Sequence, residues 1–127
     1  MSGQLDDIFA HIKPVLYILS DSSGETANAV VCAAAAQFPD DSIQIVRVSN
    51  IKDLETVSEY FDENYIPGSA CAVFHTFADG VLRREIRREL DFRGIPSIDL
   101  LGPAVTVIST LTGEAPSHEV GALYRKK

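Results

Sequence analysis

The chain alternates between two kinds of segment, and that alternation limits what it can fold into. Four short apolar runs, "PVLYILS" (14–20), "IQIVRV" (43–48), "ACAVFHT" (70–76) and "IPSIDL" (95–100), read as buried strands. Between them apolar residues recur at spacings of three and four, as on one face of a helix. The first such face is Ala27, Val30, Val31, Ala34, Ala35 and Phe38, with Ser22 and Glu25 at capping-box spacing before it and Pro39 after it. The second carries Ile51, Leu54, Val57, Phe61 and Tyr65, with Asn50 as its expected cap and Pro67-Gly68 as its stop. Asp79 can cap a third helix that buries Leu82, Ile86 and Leu90 and ends at Gly94. Pro103 suits the first turn of a fourth, "AVTVISTLTG". Four strand–helix units in series predict an α/β fold: one open, mainly parallel four-stranded sheet with helices on both faces and right-handed crossovers. The pattern leaves the strand order open. Residues 14–113 form this α/β domain. Residues 1–13 read as a lead-in segment, with Leu5, Ile8, Phe9 and Ile12 at helical spacing. Residues 114–127 read as a linker or truncated end.

At 127 residues one domain is expected, and 46% hydrophobic residues suffice for a packed core. A formal net charge of −7 argues against nucleic acid as a partner, since phosphate backbones require a basic surface. No apolar run approaches the ~18 residues of a membrane span, and the polar, acidic start "MSGQLDDIFAHIK" is unlike a signal peptide. Cys32 and Cys71 lie far apart and read as buried thiols of a cytoplasmic protein. The histidines show no metal-ligand spacing, so no metal site is expected.

In an open parallel sheet, ligands bind beyond the carboxyl ends of the strands. The residues expected there are Asp21, Ser22, Ser23 and Gly24 after the first strand, Ser49 and Asn50 after the second, His75 and Thr76 after the third, and Asp99 to Gly102 after the fourth. The first loop, "SDSSGETA", offers backbone amides at a helix start and the hydroxyls of Ser22, Ser23 and Thr26, which suits a phosphate. Asp21 and Glu25 oppose this with repulsion on the order of a few kcal/mol, unless magnesium or another cation intervenes. The other reading of Ser22 and Glu25 is helix capping alone. The loop is not a Walker-type P-loop: with Gly24 as the last glycine, Leu19 stands at the first and Glu25 at the lysine. Asp99 reads as a carboxylate that holds a metal or accepts a hydroxyl proton, or as one that bonds the amides of the following turn. His75 reads as a general base or as a hydrogen-bonded structural residue. The basic run "RREIRREL" (83–90) alternates with Glu85 and Glu89 and reads as a solvated, ion-paired helix face, or as a docking surface for an acidic partner or a phosphate.

"SDSSGETA" after a strand, then "AAAAQF", "FHTFADGVLRREI" and "GIPSIDLLGP" in that order, resemble the amino-terminal half of the regulatory kinase/pyrophosphorylases that act on pyruvate phosphate dikinase or phosphoenolpyruvate synthetase. The resemblance runs from about Val15 to Gly121. It implies a parent enzyme that phosphorylates a threonine of its target with ADP, and that removes the phosphoryl group with inorganic phosphate, releasing pyrophosphate. In that family the nucleotide sits on a glycine-rich P-loop in the second half. Here no glycine is followed by lysine, so the chain reads as a fragment, inactive by itself, awaiting a P-loop domain. The resemblance thus implies ADP and phosphate as the parent's substrates, with magnesium as a candidate cofactor, and the dikinase or synthetase as target. Asp21 and Asp99 stand as candidate catalytic carboxylates. Ser22, Ser23, Gly24, Glu25 and Thr26 stand as the phosphate loop, and His75, Thr76 and Gly102 as the cleft lining.

Two other readings come from different classes. "SSGET" is also similar to the phosphate loop of flavodoxins, which bind flavin mononucleotide, and Phe77 is the ring that would stack on the flavin. A non-catalytic docking or homodimerisation module would instead use the basic third helix.

Overall fold

The computed structural model describes residues 13–125. Four parallel strands, β1 (Val15–Ser20), β2 (Gln44–Val48), β3 (Cys71–Thr76) and β4 (Ser97–Asp99), form one sheet in the order β2-β1-β3-β4. They alternate with α1 (Glu25–Ala35), α2 (Leu54–Asn64), α3 (Gly80–Arg93) and α4 (Gly102–Thr112). A short α5 (Ala122–Arg125) follows. The expected α/β class, the parallel sheet and the four strand–helix units are all present. The possible lead-in helix at Leu5, Ile8, Phe9 and Ile12 lies outside the described residues.

Chain direction reverses once across the sheet. From β1 the chain crosses to β2 on one side, then passes back over β1 to β3 on the other. The two central strands therefore send their following loops to opposite faces, and a crevice opens between them at their carboxyl ends. Register places Ser20 of β1 beside Thr76 of β3, and His75 beside Asp99 of β4. The sequence positions expected at the functional edge are thereby brought together.

The two faces are unequally filled. One holds the main core, in which Val57 and Phe61 of α2 and Leu82, Ile86 and Leu90 of α3 pack on Tyr17, Leu19 and Val73 of the sheet. Phe61 is fully buried, edge-on to Tyr17 and Tyr60 at ring separations of 5.1 and 5.4 Å, a favoured aromatic geometry. Arg93 stitches α3 to α2: its Nη2 donates to Asp62 Oδ1 at 2.7 Å and to the Ser58 carbonyl at 3.0 Å, and its Nε to Glu89 at 2.7 Å. The other face has only Ile18, Ala27 and Val31 fully buried, with Leu16, Ile45, Phe74 and Leu100 around them.

This asymmetry corrects several sequence expectations. In α1 only Ala27 and Val31 are buried; Val30 and Phe38 are 47% and 59% exposed, because α1 lies over a thinly covered sheet face. The helix is capped by Gly24, not by a Ser22–Glu25 box: the Ser22 hydroxyl faces Ser20 Oγ at 3.3 Å. The cap of α2 is Asp53, which accepts from the Thr56 amide; Asn50 sits earlier, at positive φ. Ile51 thus precedes the helix, although it is buried as expected. Cys32 is exposed and Cys71 partly buried, and neither is in a disulfide. Asp79 and Gly94 cap α3 where the sequence places them, and Pro103 lies in the first turn of α4.

Because the main core carries most of the burial, its aromatic centre should dominate stability. Phe61→Ala is expected to cost about 3–5 kcal/mol, measured as a shift in the midpoint of chemical denaturation. Phe38→Ala, at an exposed ring, should change the midpoint little.

Candidate functional site

The β1–α1 loop is held from three sides. Asp21, buried at the end of β1, accepts the amides of Ala78 and Asp79 on one carboxylate oxygen, both at 3.0 Å, across the crevice from the β3–α3 loop. The Ser22 carbonyl accepts the Asn50 amide at 2.8 Å, and the Ser20 carbonyl accepts the Ile51 amide at 3.0 Å. Arg47 of β2 donates through Nε and Nη2 to the Ser23 carbonyl at 3.0 and 2.8 Å. The loop's carbonyls thus point back into the protein. Gly24 then turns the chain at φ +82°, a left-handed conformation suited to glycine, and any Cβ there would press on Arg47 Nε at 3.2 Å. The turn aims the first-turn amides of α1, which have no intrahelical acceptor, outward from the sheet edge.

On the other side, Asp99 performs the comparable task for α4. Its Oδ1 accepts the Leu101 amide at 3.0 Å and the Gly102 amide at 2.7 Å. Of the two sequence readings of Asp99, the turn-bonding one describes this geometry. Its Oδ2 lies 3.8 Å from Arg83 Nε. Gly102 is required by space: a Cβ would collide with Asp99 Oδ2 and stand 2.8 Å from Arg83 Nη1.

Between these loops lies a cavity of about 440 Å³ at the β1/β3 reversal point. Asp21, Ser22, Ser23, Gly24, Glu25 and Thr26 line it on one side, Thr76, Phe77 and Ala78 at the back, and Leu101, Gly102 and Val105 on the α4 side. All five residues of the expected phosphate loop, with Asp21, Thr76 and Gly102, are therefore gathered around one space. Asp99 and His75 are not among the lining residues; both stand behind the wall. Segment 116–119 folds back over the opening, with His118 Nδ1 3.1 Å from the Ala78 carbonyl.

Several lining residues were not placed at the site by the sequence reading, among them His118, Glu119 and Arg83. His118 has no partner in sequence, and only the return of the chain brings it to the site. Arg83 lies in the basic run, whose two sequence readings are a solvated charge ladder and a docking surface for an acidic partner or a phosphate. The ladder of Arg83, Arg84, Arg87 and Arg88 with Glu85 does not form among the described residues; Glu89 pairs with Arg93 instead, and Arg83 turns into the cavity. A signal for it existed. With Asp79 as cap, Arg83 falls at the end of the first turn of α3, where a cation opposes the helix dipole. Phe77, the proposed flavin-stacking ring, is 1% exposed and packs on the His75 ring at 5.6 Å. It offers no free face for a flavin sandwich.

His75 is 1% exposed, and neither ring nitrogen has a hydrogen-bond partner. The nearest acceptor, Asp99 Oδ1, is 4.0 Å from Nδ1, too far for a hydrogen bond. Burial lowers its pKa; Asp99 works in the opposite direction, and Arg87 and Arg83 add to the lowering. It is a neutral imidazole within the wall, with no atom on the cavity. Among the described residues no three His, Cys, Asp or Glu side chains cluster so as to hold a metal ion.

Fold and site together define a doubly wound α/β domain with a hydroxyl- and amide-lined cleft at its reversal point. The chain belongs to the kinase/pyrophosphorylase family, whose model matches residues 16–127. It is 35% identical over 113 residues to a pyruvate, phosphate dikinase regulatory protein of Halalkalibacterium halodurans, covering 89% of this chain and 41% of that relative. It is 35% identical over 111 residues to a protein of the same name from Geotalea uraniireducens (87% and 40%). A third, from Geobacter sulfurreducens, is 36% identical over 110 residues (87% and 40%). The chain thus spans about two fifths of the length of these relatives.

The lowered pKa of His75 has a consequence for stability. Its unfolded value is near 6.5 and its folded value lower, so between the two the unfolded chain binds more protons. The stability that depends on the neutral ring is complete above pH 6.5 and is lost as pH falls below it. His75→Leu removes both unpartnered nitrogens. It should leave stability at pH 8 equal or higher, and flatten the loss as pH falls below about 6.5, read by denaturation midpoints over a pH series.

Proposed function

We propose that this chain forms one wall of a phosphoryl-transfer cleft in a kinase/pyrophosphorylase that regulates a dikinase or synthetase by reversible threonine phosphorylation. The observation that carries the reading is the 440 Å³ cavity at the sheet's reversal point, walled by Ser22, Ser23, Gly24, Glu25 and Thr26. In this reading the first-turn amides of α1 and the hydroxyls of Ser22, Ser23 and Thr26 hold oxygens of a transferring phosphoryl group or of inorganic phosphate. Asp21 keeps the loop in shape through the Ala78 and Asp79 amides, and its position on the cavity lets it face the reacting hydroxyl.

The nucleotide belongs to the other wall. No P-loop lysine occurs in these residues, and the relatives are about two and a half times as long as the matched stretch. ADP would be bound by a P-loop domain elsewhere in the parent. Magnesium would enter coordinated to phosphate oxygens, with at most one or two carboxylates from this chain, since the described residues build no cage for it. The apolar residues that α4 leaves exposed, Val107, Ile108 and Leu111, are what a covering domain would bury. The likeness of the relatives' names supports a dikinase as target.

Two measurements test the reading. Inorganic phosphate and pyrophosphate with magnesium, titrated into the 127-residue chain, should shift the amide resonances of Ser22 to Thr26. Silence at all of these amides would remove the phosphoryl role and favour a docking module. Separately, the chain incubated with ADP, magnesium and a target dikinase should form no phosphothreonine. Turnover by this chain alone would show that no second wall is needed.

A further inference from the structure

The cleft has three carboxylates on its lining, Asp21, Glu25 and Glu119, against a single lysine or arginine among the described lining residues, Arg83. A guanidinium carries five N–H donors in a rigid fork, and no hydrogen bond is formed by any of them among the described residues. Among the described residues its ion-pair partner is Asp99, 3.8 Å from Nε and beyond hydrogen-bond range. Asp99 is in turn committed, with Oδ1 on the Leu101 and Gly102 amides. The pair therefore orients Arg83 by charge without taking up its donors.

The surroundings confine the fork to the cavity. Arg83 rises from the first turn of α3, which Asp79 fixes by capping Val81 and Leu82. Its neighbour Leu82 is locked into the main core. Nη1 comes so close to Gly102 that only a residue without a side chain fits there. With its side chain 27% exposed, the guanidinium is half sunk in the wall and still reaches the cavity. A partly desolvated arginine with free donors matches the planar, paired oxygens of phosphate better than a solvated lysine does.

We propose that Arg83 is the oxyanion-binding cation of this cleft, and that it gives this chain by itself a site for phosphate or pyrophosphate facing the Ser22–Thr26 loop. This rests on the phosphoryl reading above and changes one part of it: a cation facing the loop is supplied from within this chain.

The test follows the Arg83 Nε–H resonance and the Gly24–Thr26 amides together during titration of the 127-residue chain with pyrophosphate, and separately with inorganic phosphate, at constant magnesium. Arg83 Nε–H should shift with the same half-saturation as the loop amides. Arg83→Gln should weaken binding about tenfold or more, and Arg83→Lys by less, since it keeps the charge and loses the fork. If the loop amides titrate while Arg83 Nε–H stays still, and Arg83→Gln binds as the wild type does, the assignment of Arg83 is overturned and the loop reading stands. If neither group responds, both fall. The Nε–H measurement is made on the unaltered chain, so a misfolded variant cannot obscure the outcome.

Discussion

The site depends on one buried carboxylate that bridges the sheet's reversal point. Asp21 takes two amides from the loop after β3 while belonging to the loop after β1. Those loops leave adjacent strands toward opposite faces, so nothing in the sheet ladder itself would keep them in register beyond Ser20 and Thr76. A charged acceptor shared by two partly buried amides is worth more than a neutral one, because each bond is charge-assisted. Removing the carboxylate would leave two donors unsatisfied at the one place where they are hard to hydrate. The crevice keeps its width because Asp21 spans it.

The remaining supports follow the same economy: backbone polar groups of the loops are tied inward, so that the groups facing out are amides and hydroxyls. Arg47 and the amides of Asn50 and Ile51 take the carbonyls of Ser20, Ser22 and Ser23. Asp99 takes two amides of the α4 start, leaving its second oxygen to steer Arg83. Both acidic residues that looked catalytic in the sequence are thus engaged in building the walls. Asp21 also reaches the cavity, whereas Asp99 shapes it from behind. His75 occupies the same hidden layer, wedged between Phe77 and Asp99.

The architecture was legible because its signals are local. Strand-length apolar runs, the Asp79 cap and the Gly94 stop each act within a few residues, and the edge residues follow from where strands end. What stayed hidden depends on long-range geometry. Strand order comes from which face each crossover helix takes, and the apolar runs, alike on both faces, do not encode it. The helical face of α1 was over-read, since spacing marks which residues could be buried but not how much protein lies over them. The fate of the arginine run was invisible for a related reason. A ladder of alternating charges has the same pattern whether all its members face solvent or one is drawn aside by Asp99, sixteen positions further on.

The uneven burial of the two faces bears on how the cleft can work. The main core fixes α2 and α3, and with α3 the base of Arg83. α1, on the opposite face, and α4 are held more weakly: α1 buries only two side chains fully, and α4 buries only Gly102. The cavity lies where these two regimes meet, with the loop and the α4 start on the lightly packed side and Arg83 on the firmly packed one. Local openings have lower free energy where fewer apolar contacts must be broken. Asp21, on the Ala78 and Asp79 amides, and the Asp99–Arg83 pair are the polar links that join the lightly packed side of the cleft to the firmly packed one.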